Sequence, residues 1–157
     1  MSKAFEMMNS QVVKVHPDDK LVDVVKILVE HRISGLPVLD DENKVVGMIS
    51  GRDLLKYSET LDDSDTSLDF SRLLRPHVYT VKSLPDENNT NLFLVTRVQE
   101  VMTKTVISVK ENSSFHDVVT LMKEHKINRI PVVDEDGRLK GLITRTDLLN
   151  YIAEKKD

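Results

Sequence analysis

Two short motifs place a hydroxyl side chain three residues before a carboxylate. Ser50 precedes Asp53, and Thr144 precedes Asp147, each at the start of an apolar helical run. This spacing forms an N-terminal helix cap, with the carboxylate in the first turn, where the helix dipole favours negative charge. The same helix end, with free amides and a hydroxyl, also suits a phosphate, and the carboxylate can accept the two hydroxyls of a ribose. The motifs are therefore interpreted as caps that could also bind a nucleotide.

Both motifs belong to an internal repeat with an offset of 94 residues. Residues 8–57 align with residues 102–151 without a gap, and 18 of the 50 aligned positions are identical. The identical positions include Gly47 with Gly141. A register kept over this length indicates a structural unit that occurs twice.

Each copy has the pattern β-α-β-β-α. A β-rich run comes first, at Val12–Val15 and at Val106–Val109. An amphipathic helix follows, with apolar residues spaced i, i+3, i+4, i+7 from Leu21 and from Phe115. The next strand contains a proline in each copy, which predicts a strand start or a sheet edge, because proline lacks the N–H of the ladder. Since one copy is too small to bury a sheet and two helices alone, we predict an α+β fold of layered helices and sheets in which the two copies pack as a pseudo-twofold pair.

The duplication divides the chain into three parts. We predict a first repeat at 1–57, an acidic insert or linker at 58–98 and a second repeat at 99–157. The insert has 4 basic and 7 acidic residues, so it carries −3 of the chain's net charge of −4.

The insert has few strong signals. Leu68 begins an apolar pattern that predicts a short helix, and the runs Val78–Val81 and Leu92–Val95 are β-like. The insert could form a partner or dimer surface, fold back over the repeats, or line a ligand cleft.

Composition excludes several classes of protein. The chain has no cysteine, which removes disulfide scaffolds, thiol catalysis and thiolate metal sites. It contains no glycine-rich phosphate loop, no Gly-x-Ser-x-Gly elbow and no His-Glu-x-x-His motif, so we expect neither an enzyme nor a metal site. The acidic net charge of −4 argues against nucleic-acid binding. No apolar run approaches the roughly 20 residues of a membrane span, and no signal peptide is recognisable, so the expected location is cytoplasmic.

The ordered motifs of each copy resemble the cystathionine-β-synthase (CBS) domain. In the first copy, Leu36–Asp40 reads Leu-Pro-Val-Leu-Asp, and Gly47–Leu55 reads Gly-Met-Ile-Ser-Gly-Arg-Asp-Leu-Leu. In the second copy, Ile130–Asp134 and Gly141–Leu149 repeat both patterns. The resemblance implies a tandem CBS pair, also called a Bateman module. Such pairs bind adenine nucleotides or related ligands in clefts between the copies, often dimerise, and act as sensors rather than catalysts.

The resemblance also implies a ligand site for each copy. Its aspartates contact the ribose, its hydroxyls lie near ribose or phosphate, its arginines contact phosphates, and its first and proline-containing strands wall the base. In the second copy these residues are Thr144, Asp147, Arg145, Arg129, Ile130, Pro131, Thr105, Val106 and Ile107. In the first copy they are Ser50, Asp53, Arg52, Leu36, Pro37, Val12 and Val13.

Two expectations refine this assignment. The base contacts come from backbone edges and from Ile130 or Leu36, which should be partly exposed. The second copy is expected to bind better, because Arg129 and Arg145 give its motif more positive charge than the first copy has.

The resemblance predicts a stand-alone regulatory protein that binds AMP, ADP, ATP or a related ligand and signals by conformational change. Signalling requires the ligand to bind two conformations unequally. We expect a homodimer, a regulated protein partner, no required cofactor, and neither nucleic acid nor a membrane as partner. The alternative is an interaction or dimerisation module that binds no nucleotide.

Overall fold

The structure is a computed structural model that describes residues 2–59 and 92–155. The helix predicted from Leu68 and the strand predicted at Val78–Val81 lie outside these residues. The chain forms two compact units, and each unit contains residues from both halves of the sequence. The first unit comprises the described residues of Met1–Val13, Leu39–Val45 and Thr105–Asp157, and the second those of Lys14–Val38 and Val46–Lys104.

The first half of the chain contains three helices and a two-stranded sheet among its described residues. In chain order these are α1 (Ala4–Met7), α2 (Leu21–His31), β1 (Gly35–Leu39), β2 (Val45–Ser50) and α3 (Gly51–Glu59).

The second half repeats this order with a longer sheet. Its elements are α4 (Leu92–Val95), a 3₁₀ turn (Val98–Glu100), β3 (Val109–Lys110), α5 (Phe115–His125), β4 (Arg129–Val133), β5 (Leu139–Thr144) and α6 (Arg145–Glu154). The strand order is β3-β4-β5, with β3 parallel and β5 antiparallel to β4. Helices and sheets in both repeats confirm the predicted α+β class.

The predicted apolar helix faces are confirmed except at one position. The buried residues of α2 include Leu21, Val24, Val25 and Leu28, which form the face read from the sequence. In α5, Val118 and Met122 are buried, but Val119 is 36% exposed. The periodicity therefore located the core face, but in α5 that face is narrower than the pattern predicted.

The first strand of each copy is shorter than predicted. In the first copy Val15 forms an isolated parallel bridge to Val38, and no longer strand is formed there among the described residues. In the second copy the strand is limited to Val109–Lys110. The prediction of a strand at Leu92–Val95 is wrong, because this run forms helix α4. Four apolar residues in a row fit a helix and a strand equally well, so periodicity could not decide between them.

Pro37 lies in β1, an edge strand of the two-stranded sheet, as expected, but Pro131 lies neither at a strand start nor at an edge. Pro131 is the third residue of β4, the central strand of its sheet. It lies opposite Leu142, whose backbone N–H and C=O both pair with Asn9 instead. Because Leu142 directs its hydrogen bonds away from β4, this register does not use the N–H that proline lacks.

Each repeat is completed by the segment that leads into the other repeat and includes its first residues. We call residues 2–13 the leading segment and residues 96–104 the connecting segment. In the leading segment Asn9 bridges Leu142 of β5, and in the connecting segment Thr103 bridges Met48 of β2. Both bridges are antiparallel and use two backbone hydrogen bonds of 2.8–3.0 Å.

The methionine before each bridge packs on a glycine. Met8 covers Gly141 and Met102 covers Gly47, and both glycines are buried. A Cβ added at Gly141 would lie 2.5 Å from the Met8 sulfur. Glycine is therefore needed in these strands to admit the methionine side chain.

Candidate functional site

The second motif forms where β5 ends and α6 begins. The Thr144 hydroxyl accepts the N–H of Asp147 at 3.3 Å, which caps the helix. Oδ2 of Asp147 accepts the N–H of Thr144 at 2.8 Å and its hydroxyl at 2.9 Å. Oδ1 accepts no hydrogen bond from the part of the chain that the structure describes. The cap is therefore complete with one carboxylate oxygen, and the other is open to a ligand.

The first motif has the same cap with one addition. Oδ2 of Asp53 accepts the N–H of Ser50 at 2.9 Å and its hydroxyl at 3.1 Å. Here Oδ1 accepts a third hydrogen bond, from the hydroxyl of Thr103 at 3.3 Å. Sequence reasoning missed Thr103, because it lies 50 residues from Asp53 and no local pattern joins them.

A third cap of the same kind lies outside the two predicted motifs. Asp117 N–H donates to the Ser114 hydroxyl at 3.0 Å, and Ser114 N–H donates to Asp117 Oδ2 at 3.1 Å. The side-chain and backbone hydrogen bonds from Ser114 hold the pKa of the Asp117 carboxyl below its ordinary value. This cap begins α5, whereas the other two follow the strand that pairs with the proline strand.

Arginines lie at the second motif. Arg129 is half-buried and stands directly opposite Thr144 in the β4–β5 register, so both side chains project from the same face of the sheet. Arg145 is exposed in the first turn of α6, and its backbone N–H donates to the Asn128 carbonyl at 3.0 Å. Arg52 of the first motif is also exposed, but Gly35 takes the place of Arg129 there.

The expectation that Ile130 and Leu36 are partly exposed is wrong. Both side chains are 0% exposed and belong to the hydrophobic cores of their units. Pro37 and Pro131 are buried as well. The strands that carry them pack against helices, so their side chains stabilise the fold and leave only backbone groups for a ligand.

The other residues predicted to line the base in the second copy are more accessible to solvent than Ile130 and Pro131. Thr105 is exposed, and Val106 and Ile107 are half-buried. Because β3 runs parallel to β4 with Val109 beside Val132, these residues approach β4 near its start.

The structure groups the two sets of predicted residues differently. All nine residues assigned to the second copy lie in one compact unit. In the first copy, Val12 and Val13 belong to a different compact unit from Ser50, Asp53, Arg52, Leu36 and Pro37.

Residues 2–59 and 92–155 contain neither a cluster of metal ligands nor a candidate membrane-spanning helix. Within these ranges no three His, Asp or Glu side chains form a group that could hold a metal ion. The matched histidines, His31 and His125, are exposed at the ends of α2 and α5. None of the helices described is both long and apolar enough to cross a bilayer.

Comparison with known proteins identifies the repeats. The sequence profile of the CBS domain matches residues 4–60 and 98–154. Protein MJ1426 of Methanocaldococcus jannaschii is 35% identical over 153 residues, which cover 94% of this chain and 89% of that protein. Inosine-5'-monophosphate dehydrogenase of the same organism is 31% identical over 149 residues, which cover 95% of this chain but 23% of the dehydrogenase.

A solved structure agrees over the whole length. The crystal structure of CBSX2 in complex with AMP has a TM-score of 0.74 and 27% identity, and the match covers 100% of both chains. The chain therefore belongs to the CBS domain family and carries two CBS domains in tandem.

Proposed function

We propose that this chain is a regulatory CBS pair that binds an adenine nucleotide, AMP, ADP or ATP, and has no catalytic activity of its own. The observation that carries the proposal is the open Oδ1 of Asp147 on a helix cap that is otherwise complete. Support comes from CBSX2, a chain of the same fold that was crystallised with AMP.

The second-copy residues offer each part of a nucleotide a suitable partner. The ribose hydroxyls would donate to Asp147, because an ionised carboxylate forms strong charge-assisted hydrogen bonds. Arg129 and Arg145 would contact the phosphates. The base would lie against the half-buried Val106 and Ile107 and take its hydrogen bonds from backbone groups.

A regulatory role requires that binding be transmitted. The ligand must bind two conformations unequally, and the change must reach another molecule. We propose a homodimer and a regulated protein partner for this step. Leu149 and Ile152 on α6 are 63% and 50% exposed, and they offer apolar surface for such a contact.

The proposal excludes catalysis by this chain. The chain carries no nucleophile-and-base motif, and its match to a dehydrogenase spans less than a quarter of that enzyme. In this proposal Asp147 has a binding role, since one of its carboxylate oxygens caps the helix and the other is open to the hydroxyls of a ligand.

Thermal melting with AMP, ADP, ATP and S-adenosylmethionine tests the proposal. At 100 times its Kd, a ligand should stabilise the folded state by about 2.7 kcal/mol. For a domain of this size the Tm should rise by about 5–10 °C. Asp147→Ala should reduce the shift to what the first copy alone contributes. Asp117→Ala is the matched control, because it also removes a helix-capping carboxylate but lies outside the proposed site.

The outcomes separate the two candidate functions. A shift with a nucleotide that persists in Asp117→Ala and is reduced in Asp147→Ala supports a nucleotide sensor. No shift with any of the four ligands contradicts the proposal and favours an interaction module with empty sites.

A further inference from the structure

Asp53 and Asp147 are equivalent positions of the internal repeat, but Asp53 accepts one more hydrogen bond than Asp147 does. We propose that Thr103 occupies the ligand-facing oxygen of Asp53 and thereby makes the first-copy ribose site weaker than the second. This inference rests on the proposed function and assigns Thr103 as the residue that sets the unequal affinities.

The hydrogen bonds of the two carboxylates define the difference. In each motif Oδ2 serves the helix cap at 2.8–3.1 Å. Oδ1 of Asp53 accepts the Thr103 hydroxyl at 3.3 Å, whereas Oδ1 of Asp147 accepts nothing from the described residues. A ribose that approaches Asp53 therefore meets an oxygen that already has a donor.

The backbone places Thr103 beside Asp53 independently of its hydroxyl. Thr103 N–H donates to the Met48 carbonyl at 2.8 Å, and Met48 N–H donates to the Thr103 carbonyl at 3.0 Å. The neighbouring Met102 side chain packs on Gly47. Because these contacts hold the segment, a change of the Thr103 side chain leaves the position of residue 103 intact.

Asn9 is the equivalent of Thr103 in the second site, and it behaves differently. Its backbone pairs with Leu142 through hydrogen bonds of 2.9 and 3.0 Å, as Thr103 pairs with Met48. Its side-chain Oδ1 instead accepts the N–H of Gln11 at 3.0 Å. This hydrogen bond holds the Asn9 side chain in a local turn, and Asn9 donates no hydrogen bond to Asp147. The same backbone frame therefore gives one occupied and one open carboxylate.

The cost to a ligand follows from the chemistry of the donor. A hydroxyl bound to a carboxylate must be displaced, or share its acceptor, before a ribose hydroxyl can bind. Thr103 is exposed, so water partly compensates its displacement and the penalty stays moderate. We expect removal of the hydroxyl to tighten binding at the first site by about three- to tenfold.

Calorimetric titration with AMP tests the inference. In an Asp147→Ala background, which leaves only the first site, Thr103→Val should lower the Kd for AMP by about three- to tenfold. Valine keeps the branched shape of threonine and removes only the hydroxyl. Thr103→Ser keeps the hydroxyl and should leave the Kd unchanged. In an Asp53→Ala background, Asn9→Thr should weaken binding at the second site.

The results separate this inference from the proposed function. An unchanged, raised or unmeasurable Kd in the Asp147→Ala, Thr103→Val protein, with AMP still bound by the Asp53→Ala protein, overturns the role of Thr103 and leaves the nucleotide sensor standing. No AMP binding by the wild type or any variant overturns the proposed function and the inference together. Melting curves without ligand check that every variant is folded.

Discussion

The two repeats share a backbone frame but present different side chains at their motifs. The backbone of Lys20 forms an antiparallel β-bridge with Arg97 in one compact unit, and that of Lys3 forms one with Ser114 in the other. These two bridges are equivalent, because Lys20 and Ser114, like Lys3 and Arg97, are 94 residues apart. The left-handed residues that follow α2 and α5 have φ values of 54° and 53°. At the motifs the copies diverge, because Gly35 stands in place of Arg129 and Thr103 in place of Asn9.

This contrast separates two kinds of constraint. Contacts that build the frame need a particular size or backbone angle, so both copies keep a glycine under each methionine. Arg129, Arg145 and Thr103, which differ from their counterparts in the other copy, are half-buried or exposed, so we expect that changing them leaves the frame intact. A repeat can therefore change what it binds without changing how it folds.

The largest loss of stability is expected at the glycines that the methionine side chains cover. Gly141→Ala places a Cβ 2.5 Å from the Met8 sulfur, 2.7 Å from its Cγ and 3.0 Å from its Cβ. We expect a loss of about 1–3 kcal/mol in the free energy of unfolding. Gly47→Ala should cost less, because there only the Met102 sulfur, at 2.4 Å, lies closer than 3.0 Å to the added Cβ, whereas at Gly141 both the sulfur and the Cγ of Met8 do. Urea unfolding of both variants measures the difference.

A double-mutant cycle identifies the partner of Gly141. Met8→Ala removes two of the three close atoms, so its combination with Gly141→Ala should recover part of the loss. Met102→Ala in the same background is the matched control and should recover none. Equal coupling to both methionines would contradict the pairing of each glycine with one segment.

A smaller loss of stability is expected at the tyrosine that each repeat has at the same position, Tyr57 and Tyr151. The Tyr57 hydroxyl pairs with the Thr96 hydroxyl at 2.8 Å, and the Tyr151 hydroxyl donates to Ser2. Thr96 is only 8% exposed, so Tyr57→Phe leaves its hydroxyl without a partner and should cost about 1–2 kcal/mol. Ser2 is half-buried and reaches water, so Tyr151→Phe should cost less than about 1 kcal/mol.

Thermal or urea unfolding of both tyrosine variants tests this order. The double variant Tyr57→Phe, Thr96→Val removes both partners and should be more stable than Tyr57→Phe alone. If Tyr151→Phe proved the more damaging of the two, burial of the partner would not explain the difference.

The smallest effect concerns acid stability in the second repeat. The N–H groups of Arg138 and Asp136 donate to Asp134, and Arg138 is the main cause that holds the Asp134 pKa below its ordinary value of 3.8. The pKa of Asp117 is lowered by Ser114 in the same way. A lowered folded-state pKa stabilises the fold above the ordinary value, and this contribution is lost as the pH falls through the folded-state pKa.

Replacement of these carboxyls should therefore change only the acid side of the stability curve. In Asp117→Asn and Asp134→Asn, the Tm should fall less steeply between about pH 4 and about pH 2 than it does in the wild type. If the carboxylates contribute nothing to stability, the Tm of both variants should follow that of the wild type over this pH range.

Much of the local structure followed from the sequence. The spacing of Leu21, Val24, Val25 and Leu28 predicted the buried face of α2, and Thr144 was recognised as a helix cap. These features depend on residues within one or two turns of each other, where spacing determines contact. The strand predicted at Leu92–Val95 failed because a short apolar run has no distinct period.

The sequence alone determined the duplication, the order of elements and the family resemblance, since each depends on residue types at fixed spacing. The tertiary structure decided that Ile130 lies fully in the core and that Thr103 donates to Asp53. It also decided that the leading segment packs with the second repeat and the connecting segment with the first. These contacts join residues tens of positions apart, and no local spacing encodes which of two equivalent copies a segment will complete.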